Sequence, residues 1–122
     1  IEALVAIDMT KKQFIPAVME YISFLAESVR SLKSLKAPAV VQQDLLKQLN
    51  GLLKTAYSNL SKLETAVAKA QAVKDTVKRS EMYRDQVFTV MLKLRADVDA
   101  LEMLVPRDVW PVPTYTDLLF KL

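Results

Sequence analysis

The stretch AVVQQDLLKQLNGLLKTAYSNLSKLETAVAKAQAV, residues 39–73, decides the fold. Its apolar side chains fall at Val41, Leu45, Leu49, Leu53, Ala56, Leu60, Leu63, Val67 and Ala70, in steps of three and four. That spacing puts them on one face of an α-helix, and a strand, with its period of two, would scatter them over both faces. Gly51 sits mid-pattern, where glycine costs about 1 kcal/mol relative to alanine. Either a neighbouring helix approaches closely there, or the position is a weak point. It is the only glycine in 122 residues. A β-protein of this length needs many tight turns, and those turns usually need glycine, so long helices with few connections are expected.

The pattern extends in both directions. Upstream, Leu4, Ile7, Phe14, Val18, Ile22, Leu25, Val29 and Leu32 define the inward face of a helix over about residues 2–35. Pro16 removes one hydrogen bond from it and crowds the carbonyl of Lys12, which predicts a kink. Thr10 with Gln13 offers a capping box for a restart after a break; one kinked helix is the preferred reading. Lys36-Ala37-Pro38 forms the first connection, since proline suits the first turn of a following helix. The second connection is placed at Lys74-Asp75-Thr76, with Asp75 as N-cap. A third helix then covers about residues 76–105, with the stripe Val87, Met91, Leu94, Val98, Leu101 and Val105. The i,i+4 pairs Lys93–Asp97 and Arg95–Asp99 support it weakly, being in the less favourable order.

The expected fold is therefore all-α. Residues 1–105 form an antiparallel bundle of three long helices, and residues 106–122 form an extended Trp/Pro-rich C-terminal tail. Pro106 ends the third helix. Trp110-Pro111-Val112-Pro113 must be extended, and Thr114 and Asp117 start a short helical turn carrying Leu118, Leu119 and Phe120. Two prolines lower the entropy cost of docking, and Trp110 and Tyr115 supply area to bury. Trp110, Pro111, Pro113, Tyr115, Leu118, Leu119 and Phe120 are the expected anchor residues, whether on this bundle or on another domain.

The chemistry on offer is sparse. With no cysteine and no histidine, Cys–His and Ser–His–Asp catalysis, thiolate metal sites and Glu-x-x-His di-metal sites are excluded. One glycine rules out a glycine-rich phosphate loop. Asp97 and Asp99 point to different helix faces; Asp99 with Glu102, and Glu81 with Asp85, read as solvated flanks beside Arg95 and Arg84. No catalytic, cofactor-binding or metal residue is expected. The net charge of +3 comes from dispersed lysines such as Lys33, Lys47, Lys54, Lys62 and Lys69, not from the concentrated basic face of a nucleic-acid binder. No apolar run approaches the roughly 18 residues of a membrane span. Met9, Met19, Met82, Met91 and Met103 read as core filler. Tyr21, Phe24 and Tyr57 either close the core edge or face a partner. The chain opens at Ile1 with helical periodicity already under way and without a capping residue or signal-peptide pattern, which reads as a piece of a longer polypeptide.

The run Trp110-Pro111-Val112-Pro113-Thr114-Tyr115-Thr116-Asp117-Leu118-Leu119-Phe120 resembles the extreme C-terminus of type III glutamine synthetases. Leu94-Arg95, Asp99-x-Leu101-Glu102 and Val105-Pro106 lead up to it in the same way. Ile15-Pro16-Ala17-Val18 with Tyr21, and Tyr83-Arg84-Asp85, are also similar to that family, so the resemblance spans nearly the whole chain. The run from Val87 to Met91 departs from it by lacking a proline. The resemblance implies a non-catalytic C-terminal domain of a cytoplasmic ligase that joins ammonia to glutamate with ATP and Mg or Mn. It also implies a homo-oligomeric ring, with the parent's catalytic domain and neighbouring subunits as partners. None of the ATP, metal or glutamate ligands maps onto these residues. The other reading is an independent helical interaction module whose tail binds a partner.

Overall fold

The computed structural model describes residues 2–111, and all regular structure among them is helical. The first rod consists of α1 (Glu2–Met9), a π-helical turn (Thr10–Phe14) and α2 (Ile15–Ser34). In the π turn the Ile15 N–H reaches back five residues to the Thr10 carbonyl. Returning to the α-helical register passes over one carbonyl, and Pro16, one residue further on, has no N–H to offer. The helix thus absorbs its proline without ending. Thr10 does not form a capping box with Gln13. Its hydroxyl donates to the Ala6 carbonyl at 2.7 Å, and the side chain is buried. The extra residue of the π turn rotates α1 by about 100° relative to α2. Ala3 therefore faces the core, and Leu4, expected there, is half exposed.

The first rod closes in a Schellman motif. Lys36 takes the left-handed conformation, with φ 57°. Its N–H bonds the Lys33 carbonyl at 3.0 Å, and the Ala37 N–H bonds the Leu32 carbonyl at 2.8 Å, which satisfies carbonyls that the helix end would otherwise orphan. The chain then enters α3 (Val40–Ala72). At its far end the Asp75 carboxylate accepts from the N–H groups of Val77 and Lys78, at 2.9 and 3.3 Å. This caps the third rod, which is α4 (Thr76–Met82), a second π turn (Tyr83–Val87) and α5 (Phe88–Leu104). No proline accompanies the second π turn. There the Thr89 hydroxyl donates to the Asp85 carbonyl at 2.9 Å.

Helix α3 packs against both α2 and α5 and contributes more buried core residues than any other described helix. Leu49, Leu60 and Leu63 from α3 meet Val18, Leu94 and Leu101, all at most 2% exposed. Polar contacts also cross between rods. Lys11 pairs with Glu64 at 2.7 Å, and the Asn59 amide donates to the Asp97 carboxylate at 2.5 Å. With Asp97 turned inward, the expected pair with Lys93 does not form, nor does Arg95–Asp99; neither is an ion pair among the described residues.

The buried stripe of α3 starts only at Leu49, and Val41, expected in it, is exposed. Open space surrounds Gly51, with nothing within 4 Å of where a Cβ would lie, so no helix approaches it closely. Met19 and Met103 are exposed instead of filling the core. Phe24 and Tyr57 also lie exposed, Phe24 stacking on the half-buried Tyr21 at 6.0 Å.

Candidate interaction site

Val105 is extended (φ −92°, ψ 135°) and ends α5 just ahead of Pro106, as a residue before proline prefers. The Pro106 carbonyl then accepts from the N–H groups of both Val109 and Trp110, at 3.0 and 3.1 Å. This tight turn swings Trp110 back against the first rod. Its ring stacks on Phe14, with centroids 5.1 Å apart and planes 15° from parallel. Phe14 is the last residue of the first π turn, so the proline-driven register change helps set the ring that receives the tryptophan.

Trp110 is 6% exposed, yet its indole N–H is buried and finds no acceptor among the described residues. An unsatisfied buried donor of this kind costs about 1–3 kcal/mol. The indole forms part of the wall of a cleft of about 610 Å³ between α1 and α5. Val5, Ala6, Met9 and Phe14 line one side, and Met91, Leu94 and Val98 the other. Arg95, Asp99 and Glu102 provide the charged part of the lining, and none of the three has an ion-pair partner among the described residues.

Shifted ionisations lie elsewhere, on solvent-exposed pairs. A hydrogen bond from Arg84 holds the Asp85 carboxyl below its ordinary range, and Asp8 raises Lys12 through a hydrogen bond and its charge. Among the described residues no three His, Cys, Asp or Glu side chains converge as a metal site would require. Asp99 and Glu102 share the cleft, whereas Asp97 points to Asn59.

Of the expected anchors, Trp110 is buried and Pro111 exposed. Pro113, Tyr115, Leu118, Leu119 and Phe120 lie outside the described residues. Sequence reasoning missed Phe14 as the receiver of Trp110, because Phe14 already had a place in the helical stripe. It also missed Asn59, although a polar residue three positions after Ala56 and one before Leu60 was a signal that the core contains a polar partner.

Aligned over 124 residues, the chain is 27% identical to a glutamine synthetase of Butyrivibrio fibrisolvens, covering 100% of this chain and 18% of that protein. A glutamine synthetase of Bacteroides fragilis (strain YCH46) is 24% identical over 127 residues, covering 98% and 17% respectively. The chain is similar to glutamine synthetases along its whole length. It spans less than a fifth of the length of these two relatives. No protein-family model matches the chain, and no solved structure matches it. No described helix is long and apolar enough to cross a membrane.

Proposed function

We propose that this chain is the non-catalytic C-terminal helical domain of a type III glutamine synthetase, serving the folding, assembly or regulation of an enzyme that makes glutamine from glutamate, ammonia and ATP. The observation that carries this reading is the coverage: the similarity takes in the whole of this chain but only 18% of the relative. The C-terminal position and the type rest on the resemblance of the Trp110–Phe120 run to that family's end. ATP and Mg or Mn would be held by the parent's catalytic domain, which together with neighbouring subunits of a cytoplasmic homo-oligomer would be this domain's partner.

The reading includes an antiparallel arrangement of the three rods. Connections of a few residues and the pairing of Lys11, early in the first rod, with Glu64, late in α3, both favour it. It also includes a docked tail with Trp110 as the main anchor and with Pro111, Pro113, Tyr115, Leu118, Leu119 and Phe120 extending the contact.

Two measurements test the proposal. The complete reading frame should encode a glutamine synthetase catalytic domain ahead of these residues. Calorimetry on the 122-residue chain should register no binding of ATP or Mn²⁺; micromolar affinity for either would contradict the non-catalytic assignment.

A further inference from the structure

We infer that the two-helix end of α2 and α3 is a self-association face. It meets the same face of a second copy of this chain, and the two helix pairs close into a four-helix bundle around a twofold axis. The inference deepens, and rests on, the neighbouring-subunit contact proposed above by naming its surface.

Two contacts mark the side of each helix that faces the third rod. On the first rod it is the side of Phe14, which stacks on Trp110. On α3 it is the side of Asn59, which donates to Asp97. Seven residues make nearly two full α-helical turns. Tyr21, Ser28 and Leu35 therefore continue the Phe14 side, and Leu52 and Leu45 continue the Asn59 side. Phe24 and Val41 lie beside them, one turn away. Because α5 ends at Leu104, no described helix covers these continuations. Phe24 is 64%, Leu35 78% and Val41 67% exposed. A groove of about 410 Å³ runs along this end, with Phe24, Ser28 and Leu32 on the α2 wall and Gln42 on the α3 wall.

Two properties select a second copy as the occupant. The first is charge. With a net charge of +3, two copies repel unless the faces that meet are neutral. Neither line contains a Lys, Arg, Asp or Glu; its polar positions are Ser28, Ser31 and Gln48. Glu27, in the groove wall, is already paired with Arg30 at 2.9 Å, and Asp44 accepts from Gln48 at 2.8 Å. A charge-depleted centre is the composition of an interface core, and across a twofold such a face is its own complement.

The second property is size. From Tyr21 to Leu35 the face is about 21 Å long at the α-helical rise, and two packed helices make it roughly 18 Å wide. A face of that extent covers on the order of 700 Å² of accessible surface per copy, close to the roughly 800 Å² per partner of a stable interface. A lone partner helix, about 10 Å across, would seat in the groove and leave the outer edges of the pair in water. A second helix pair matches both dimensions, and packing at about 20° gives each of the four helices two neighbours.

Sedimentation equilibrium on the 122-residue chain tests the inference. A monomer–dimer equilibrium should appear, half-dissociated at micromolar concentration. Phe24→Lys and, separately, Val41→Lys place like charges across the twofold. Each should raise the dissociation constant about tenfold or more with the helical circular dichroism unchanged; the second variant keeps the test open if the first fails to fold. Met103→Lys, at an 85% exposed position of α5, should leave the constant as it is. The chain has no cysteine, so Ser28→Cys, midway along the face, should oxidise to an interchain disulfide about tenfold faster than Met103→Cys. Three results would overturn the inference: a chain still monomeric at about 1 mM, a dimer that neither face lysine weakens, or equal oxidation rates for the two cysteines. The first would assign the face to a different chain or to another part of the parent, and the others would move the dimer contact elsewhere. None of them bears on the ligase reading, which stands or falls with the catalytic domain in the reading frame.

Discussion

The two halves of α3 share one sequence pattern and have different fates. From Leu49 to Ala70 the apolar face is buried between α2 and α5. From Val40 to Gln48 no residue is buried, and Val40 and Val41 are exposed. The same change occurs in α2, which buries Ala17, Val18 and Leu25 and nothing beyond. The cause is the length of the third rod. Asp97 lies against Asn59, and α5 ends soon after, at Leu104. Past that point two helices remain among the described residues, and two helices cannot enclose a stripe that three can. Periodicity fixes which face of a helix is apolar; only the neighbours decide whether that face leaves water.

The largest test of this contrast is truncation of the stripe at both ends. Leu60→Ala and Leu94→Ala should each cost about 2–5 kcal/mol, by lost burial and the cavity left behind. Val41→Ala, at an exposed position, should stay within about 0.5 kcal/mol. Chemical denaturation measures all three. Similar losses at Val41 and Leu60 would mean that α3 is covered along its whole length.

The enclosed end can be probed further through the stacked rings. A double-mutant cycle with Phe14→Leu and Trp110→Leu should give a coupling of about 0.5–1.5 kcal/mol beyond burial. Additive losses would mean that the two rings are not in contact in solution.

Two substitutions toward the two-helix end should stabilise. Lys36 holds a left-handed backbone conformation that costs a side-chain-bearing residue roughly 1–2 kcal/mol, so Lys36→Gly should gain about 1 kcal/mol after glycine's own entropy cost. Gly51, with open space around it, should gain about 1 kcal/mol or less as alanine. Thermal denaturation would show both as raised midpoints, and a loss at Lys36→Gly would contradict the Schellman geometry.

The smallest expected effect concerns pH. Arg84 holds Asp85 below its ordinary pKa in the folded chain. The associated stability is present above the unfolded carboxylate pKa and fades as pH falls through the folded value. Because the pair is fully exposed, Arg84→Gln should flatten the acid side of the stability profile only slightly; a steep change would mean that the pair is covered.

Most of the architecture was legible because it depends on local chemistry. The three-and-four spacing of Leu49, Leu60 and Leu63, the capping carboxylate of Asp75 and the stop at Pro106 each act within a turn or two of their own position. What escaped reading depends on register or on distant neighbours. The π turn at Thr10–Phe14 inserts one residue and exchanges Leu4 for Ala3 at the core; no residue type announces that slip. The left-handed Lys36 occupies a place that sequence rules give to glycine or asparagine. The Asn59–Asp97 contact joins positions 38 residues apart. Phe24, Tyr57 and Met103 are large side chains on helices that nonetheless stay exposed. The same holds for the interaction site, where the sequence singled out Trp110 but not Phe14, the ring it stacks on.

The most direct test of the central claim, that the turn after α5 brings Trp110 back onto the first rod, uses the chain's single tryptophan. In dilute monomer, emission from Trp110 should be blue-shifted and protected from acrylamide, as expected of an indole that is 6% exposed and stacked on Phe14. A red-shifted, freely quenched Trp110 in a chain that retains its helical circular dichroism would contradict the account.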